Sequence, residues 1–209
     1  MILSIKEKGT YSMTANLNWL EDPTVFHVNR LDPHSDHVAY ASLSEMHIGM
    51  SSLRQSLDGQ WGFCWSRCPA ERPALFWQEN FDLSRFGSIT VPGHMQTQGF
   101  GQIQYINKLY PWDGHAELRP PQVDMQNNAV GSYVREFDLE PGLLGRDVRI
   151  SFQGVESAFF LWLNGHFVGY SEDTFTPSDF DLTPYIRETG NRLCVEVYKR
   201  CSGAWIEDQ

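Results

Sequence analysis

The clearest pattern along this chain is alternation. In GQWGFCWS, Trp61, Phe63 and Trp65 recur at every second position, which puts three large rings on one face of a strand. SITVP reads as a shorter strand stopped by Pro92, since proline has no N–H for a ladder. GSYVREFDLE sets Tyr133, Arg135, Phe137 and Leu139 against Val134 and Glu136. DVRISFQG sets Val148, Ile150 and Phe152 against Arg149 and Ser151. AFFLWLNGHFVGYSED carries Asn164-Gly165 between two apolar runs, and these residue types accept the positive φ angles of a tight hairpin. NRLCVEVYKR gives a last strand with Leu193, Val195 and Val197 inward. No long stretch repeats at the helical period. The fold class expected is all-β, a jelly-roll β-sandwich over residues 53–209. Residues 1–52 read as an extended, irregular N-terminal arm with a short helix near Ser42–Gly49. Two polar loops interrupt the strands. Residues 93–128 are longer than a connector needs, which marks that loop as functional. Residues 171–187 form the second, with a short turn expected at Asp179–Leu182.

Charge narrows the partners. The net charge of -10 opposes nucleic acid, whose phosphates demand Lys and Arg, and opposes an anionic membrane surface. No run approaches the ~18 apolar residues that span a bilayer. The opening MILSIKEKGT places its apolar residues before its charges, so it does not read as a signal peptide. Cys64, Cys68, Cys194 and Cys201 fit no common zinc or redox spacing. Free thiols and a reducing, cytoplasmic setting are expected. Aromatics reach 13%, and each ring is first a candidate for core and only then a platform for a sugar.

Candidate chemistry is sparse. A glycosidase needs two carboxylates facing each other, ~5–5.5 Å apart for retention. The adjacent pairs Glu21-Asp22, Glu172-Asp173 and Glu207-Asp208 point to opposite faces of an extended chain, so none is a ready dyad and no catalytic residue is assigned. Asp32, His34, Asp36 and His37 have loose spacing and read as structural or solvated rather than metal-binding. The stretch from Gln104 to Trp112 places Asn107 among Tyr105, Tyr110 and Trp112. An Asn amide suits a sugar hydroxyl and the rings suit a sugar face, although composition alone reads Asn107 as a turn cap.

A longer series settles that choice. N-W-L-E-D-P-T-V-F-H-V-N-R (18–30), S-L-D-G-Q-W-G-F (56–63), V-P-G-H-M-Q (91–96) and Q-Y-I-N-K-L-Y-P (104–111) resemble lac-type β-galactosidases of glycoside hydrolase family 2. So do N-A-V-G-S-Y (128–133), F-Q-G-V-E-S-A-F-F-L-W-L-N-G-H-F-V-G-Y-S (152–171), T-P-S-D-F-D-L-T (176–183) and A-W-I-E-D-Q (204–209). The series runs in order over nearly the whole chain after about residue 17 and is similar above all to the large subunit of two-chain lactobacillal enzymes.

The resemblance implies a galactose-binding-like jelly roll, the family's sugar-binding domain, docked in the full enzyme on a (β/α)8 barrel that holds both catalytic glutamates. It implies a non-catalytic fragment of a protein that hydrolyses terminal β-D-galactosides such as lactose. A free-standing carbohydrate-binding module, or an assembly domain complementing a separate catalytic chain, is the alternative. The resemblance assigns Asn107 to the galactose subsite. It assigns a sodium-linked acid to the last position of Glu-Asp-Gln-Asp, and this sequence ends one residue earlier, at Gln209. Asp208 is kept as a substrate-side residue and, with Glu207, as a positioning group at the domain seam. Magnesium and sodium are implied for the parent family, with no cofactor expected on this chain. The expected partners are a galactoside, weakly held by this chain alone, the remaining domains of the parent, and a second copy through the apolar docking face.

Overall fold

The computed structural model describes residues 14–35, 37–104, 109–114 and 116–206. It is the expected all-β sandwich, with nine strands among the described residues. They are β1 (His27–Val28), β2 (Gly59–Ser66), β3 (Gly87–Val91), β4 (Val130–Phe137), β5 (Arg149–Phe152), β6 (Ala158–Leu163), β7 (His166–Glu172), β8 (Ser178–Asp181) and β9 (Asn191–Tyr198). Seven form one antiparallel sheet in the order β1-β7-β6-β9-β4-β2-β3, and β5 pairs with β8 in a second. The hairpin expected at Asn164-Gly165 joins β6 to β7, with φ of 50° and 81° at its two central residues. The short helix expected near Ser42–Gly49 is α1 (Leu43–Ile48). Ser42 Oγ accepts from the Glu45 N–H, the Glu45 carboxylate reaches back to the Ala41 N–H, and Gly49 closes the helix at φ 71°.

The turn expected at Asp179–Leu182 is instead strand β8, in register with β5 as Ser151↔Asp179 and Ile150↔Phe180. Phe180 explains the difference. It is fully buried, and strand geometry carries it into the core while its neighbours Asp179 and Asp181 face away. The turn follows instead, where the Tyr185 and Ile186 N–H groups both donate to the Leu182 carbonyl.

The large sheet is buried on both faces. Phe159, Leu161 and Leu163 of β6 face β5 and β8 with Trp61, Phe63, Leu193, Val195 and Val197. Ala158, Phe160 and Trp162 face the other way, into a second core. That second face is covered by two irregular segments. From the arm, Leu20 is fully buried and Trp19 stacks on Phe160 at 5.9 Å. From the segment after β2, Phe76 is fully buried and Trp77 stacks on Trp162 at 4.4 Å, nearly parallel. Each such side chain contributes about 1.5–3 kcal/mol through loss of water contact. At the crossing of arm, β7 and β8 the fit allows only glycine. A Cβ at Gly169 would stand 2.5 Å from the Phe180 ring and 2.6 Å from the Val28 carbonyl.

β9 was expected to bury only Leu193, Val195 and Val197, yet Cys194, Glu196 and Tyr198 on its other face are buried as well. The polar groups there satisfy one another. Tyr198 donates to Glu196, Tyr170 donates to Glu172, and Arg72 Nε lies 3.1 Å from Glu196 Oε2. Burial raises the Glu196 carboxyl above its ordinary 4.5, while Arg72 and the Tyr198 hydroxyl hold it down. Replacing Arg72 with Met leaves that carboxylate uncompensated, and we expect a loss of about 2–4 kcal/mol at neutral pH, discounted because Arg72 is partly exposed. A carboxyl whose pKa is raised by folding costs stability as pH climbs from 4.5 through the raised value. The Arg72→Met deficit in urea unfolding is therefore expected to shrink as pH falls toward 4.5, and a pH-independent deficit would refute this account.

Candidate functional site

The two residues assigned by resemblance, Asn107 and Asp208, lie outside the described residues, as do Tyr105 and Glu207. The chain on either side of them is described, and it converges. Tyr110, just after Asn107, stacks on Trp112 at 5.9 Å and 5°. Both rings meet Trp205, just before the Glu207-Asp208 pair, at 4.5 and 4.7 Å. Trp205 Nε1 donates to the Gln122 carbonyl at 2.7 Å. The long loop thus has a small core of its own, in which Trp112, Val123 and Ala204 are buried. Met95 and Phe100 anchor the loop in the first core and Met125 packs it against the second, and polar contacts add to this hold. The Val123 N–H donates to Glu21 of the arm at 2.9 Å. The Asn128 amide brackets Arg200, accepting from its N–H at 2.9 Å and donating to its carbonyl at 2.8 Å. That extends the β4–β9 ladder by one more rung.

Of the two readings open to each ring, core or sugar platform, Trp112 takes the first. It is 2% exposed and packs as core, because Trp205 closes over it. Tyr110 is the most exposed ring of the three, and Trp205 is half-buried. Beside this cluster is a small pocket of about 40 Å³, room for about one water, lined by Gln104, Trp112, Asp124, Asn127, Lys199 and Arg200. Burial, followed by the nearby Arg200, eases the proton off Lys199, whose Nζ lies 3.4 Å from Gln104 Oε1. A far larger recess, about 460 Å³, opens at the opposite end of β4 and β9 between Glu136, Asp138 and Arg192. Its carboxylates are already engaged: Glu136 by Arg192, Asp138 by the Gly190 N–H, and Glu79 by Arg187. It lies strand-lengths away from the loop that carries Asn107, and we give it no role in sugar recognition.

The remaining candidates resolve into structure. His34 bonds to Asp179 and shares the Ser35 carbonyl with His37. Asp36 of that cluster is outside the described residues. Among the described residues no group of three or more His, Cys, Asp or Glu is arranged to hold a metal ion. The four thiols are free, and burial pushes Cys194 up to about 12, far from a reactive thiolate. Trp205 and the Asn128 bracket are missed by the sequence reading. The Trp just ahead of the acidic pair is their one visible signal.

Because the buried Asn128 amide satisfies the partly buried N–H and carbonyl of Arg200 at once, Asn128→Ala is expected to lower stability by about 1–3 kcal/mol in urea unfolding. It is also expected to loosen the Ser202–Trp205 turn, read as increased tryptophan exposure to a fluorescence quencher. An Asn128→Ala chain as stable as the parent would contradict the role given to the bracket.

Comparison with known proteins gives a consistent result. The description "Glycosyl hydrolases family 2, sugar binding domain" matches residues 54–209. The chain is 53% identical over 196 residues to a β-galactosidase of Halalkalibacterium halodurans, covering 93% of this chain and 19% of that protein. It is 52% identical over 209 residues to the β-galactosidase large subunit of Leuconostoc lactis, covering 94% of this chain and 33% of that one. Among solved structures, a Bifidobacterium dentium β-glucuronidase superposes with a TM-score of 0.48 at 22% identity, over 68% of this chain and 19% of that chain. The chain spans a third or less of the length of these relatives. It belongs to the sugar-binding-domain family of the family 2 glycosyl hydrolases.

Proposed function

We propose that this chain forms one wall of the galactose subsite in a β-galactosidase and performs no hydrolysis by itself. The observation that carries the reading is the Tyr110–Trp112–Trp205 cluster. It brings Tyr110 and Trp112, which follow Asn107 in sequence, against Trp205, which precedes Asp208, and this convergence of the described flanking chain supports the reading. In this reading the Asn107 amide donates to and accepts from sugar hydroxyls, and Asp208 orients the seam. Bond cleavage, with retention through a glycosyl-enzyme, is left to two glutamates on the remaining polypeptide. Magnesium and sodium belong, in this reading, to the assembled parent, where they neutralise charge and orient hydroxyls.

Two further observations support the assignment. The most buried carboxylates among the described residues, Glu172 and Glu196, are engaged by tyrosines inside the second core and are closed to substrate. Ile206 is 89% exposed and Leu109 64% exposed, beside the aromatic cluster. Apolar groups at such an edge suit docking by the other domains of a longer protein. No helix among the described residues is long and apolar enough to cross a membrane, and the four free thiols fit the reducing cytoplasm we propose.

With o-nitrophenyl galactoside this chain is expected to give no turnover, and clear turnover would overturn the division of labour. Calorimetric titration with galactose and with lactose is expected to show binding no tighter than about millimolar, abolished by Asn107→Ala. Micromolar affinity would instead favour a free-standing carbohydrate-binding module. The same apolar edge predicts partial dimerisation in light scattering, which a monodisperse monomer at high concentration would exclude.

A further inference from the structure

His34 sits where the arm crosses the second sheet. Its Nε2 is 2.8 Å from Asp179 Oδ2, and its Nδ1 is 2.9 Å from the Ser35 carbonyl oxygen. Both partners are acceptors. A neutral imidazole has a single N–H, so one of these contacts would then set acceptor against acceptor; only the imidazolium satisfies both. Asp179 has the complementary need. It is 9% exposed, and its Oδ1 is buried with no hydrogen-bond partner among the described residues. The charge on its other oxygen is answered by His34. The same residue of β8 also grips the arm through its main chain, because the Leu31 N–H donates to the Asp179 carbonyl at 2.8 Å.

We propose that His34 and Asp179 form a proton-gated latch that clamps residues 31–34 of the arm onto the second sheet, closed while His34 is an imidazolium and loosened when it gives up its proton. The groups facing His34 are Asp179 from β8, Arg149 from β5, and His37 of the arm, whose ring lies 4.9 Å away with its Nδ1 3.1 Å from the same Ser35 carbonyl. The Ser35 carbonyl and then the Asp179 hydrogen bond raise the proton affinity of His34 above its ordinary 6.5, while partial desolvation and Arg149 oppose them. A histidine that holds its proton more tightly in the folded chain stabilises fully below 6.5. That contribution disappears as pH rises through the raised value. The latch therefore opens as pH rises through that raised value, above 6.5. The segment it releases leads directly into α1, whose Leu43 and Ile48 are largely exposed.

The test is NMR on this chain, which needs no ligand. Imidazole nitrogen shifts are expected to show both ring nitrogens of His34 protonated at pH 6.5, with a midpoint above that value. The exchange protection of the Leu31 amide is expected to fall severalfold, up to about tenfold per unit that the midpoint is raised, as pH crosses it. In Asp179→Asn the midpoint should drop and the pH dependence of Leu31 protection should vanish. In His34→Gln, which removes the titrating group without disturbing β8, protection should be low and pH-independent. A His34 neutral at pH 6.5, or Leu31 protection in the parent chain that ignores pH, would overturn the proposal. So would an unchanged midpoint in Asp179→Asn.

Discussion

A sheet with apolar side chains on both faces has to be covered twice, and most features of this molecule follow from that requirement. β6 reads AFFLWL, and all six of its side chains are buried. Successive residues of a strand point to opposite sides, so Phe159, Leu161 and Leu163 need one cover while Phe160 and Trp162 need another. The first is regular, β5 and β8. The second is irregular, made from the 3-10 turn Leu17–Glu21 and the segment around Phe76 and Trp77. Irregular chain makes few ladder bonds, so its hold comes from ring stacking and from scattered polar anchors. Asn29 Nδ2 to the Val168 carbonyl and Arg30 to Ser171 are two of these. Two covers of such different construction also give the domain two different edges.

The second cover carries a constraint that the first does not. Glu172, Glu196, Tyr170 and Tyr198 all lie on its side of the sheet. Burial first, and then the neighbouring glutamate, drives both tyrosine hydroxyls to hold their protons, and each donates in a hydrogen bond to that glutamate. A network of this kind is stable only when complete, since a half-satisfied buried polar group costs more than an apolar one. Arg72 completes it at Glu196 from the segment that also brings Phe76 and Trp77. The same stretch of chain therefore supplies both the apolar cover and the cation beneath it.

Much of this was legible in the sequence, and the limits are instructive. Period-two alternation located β2, β4 and β5, and Asn164-Gly165 located the β6–β7 hairpin, because those signals are local. Ser42 and Gly49 bounded α1 for the same reason. What could not be read is which face of a continuously apolar strand meets which cover, since AFFLWL offers no polar side to break the tie. β8 was taken for a turn because a four-residue SDFD strand has one apolar anchor, Phe180, whose burial depends on residues far away in sequence. Trp112 could be read as core or as sugar platform because nothing nearby reveals that Trp205, from the far end of the chain, closes over it. The roles of Asn107 and Asp208 came from resemblance and not from spacing. No physical property of an isolated Asn separates a sugar contact from a turn cap.

The division between a spent interior and open edges bears directly on function. Inside this domain the buried glutamates and tyrosines are already matched with one another, and both faces of the central strands are covered. Recognition is therefore confined to loop edges, and the edge has to be stiff to be selective. Here the stiffness is built twice, by two aromatic rings of the loop packed against Trp205 of the last turn and by the Asn128 bracket that continues the ladder beneath them. In the reading proposed above, a wall made this way fixes the position of a hydroxyl, and the opposing wall belongs to the rest of the longer protein. That is why exposed apolar side chains at the same edge matter. They give a docking neighbour a reason to sit there, and in doing so to supply the opposing face that recognition of a whole sugar requires.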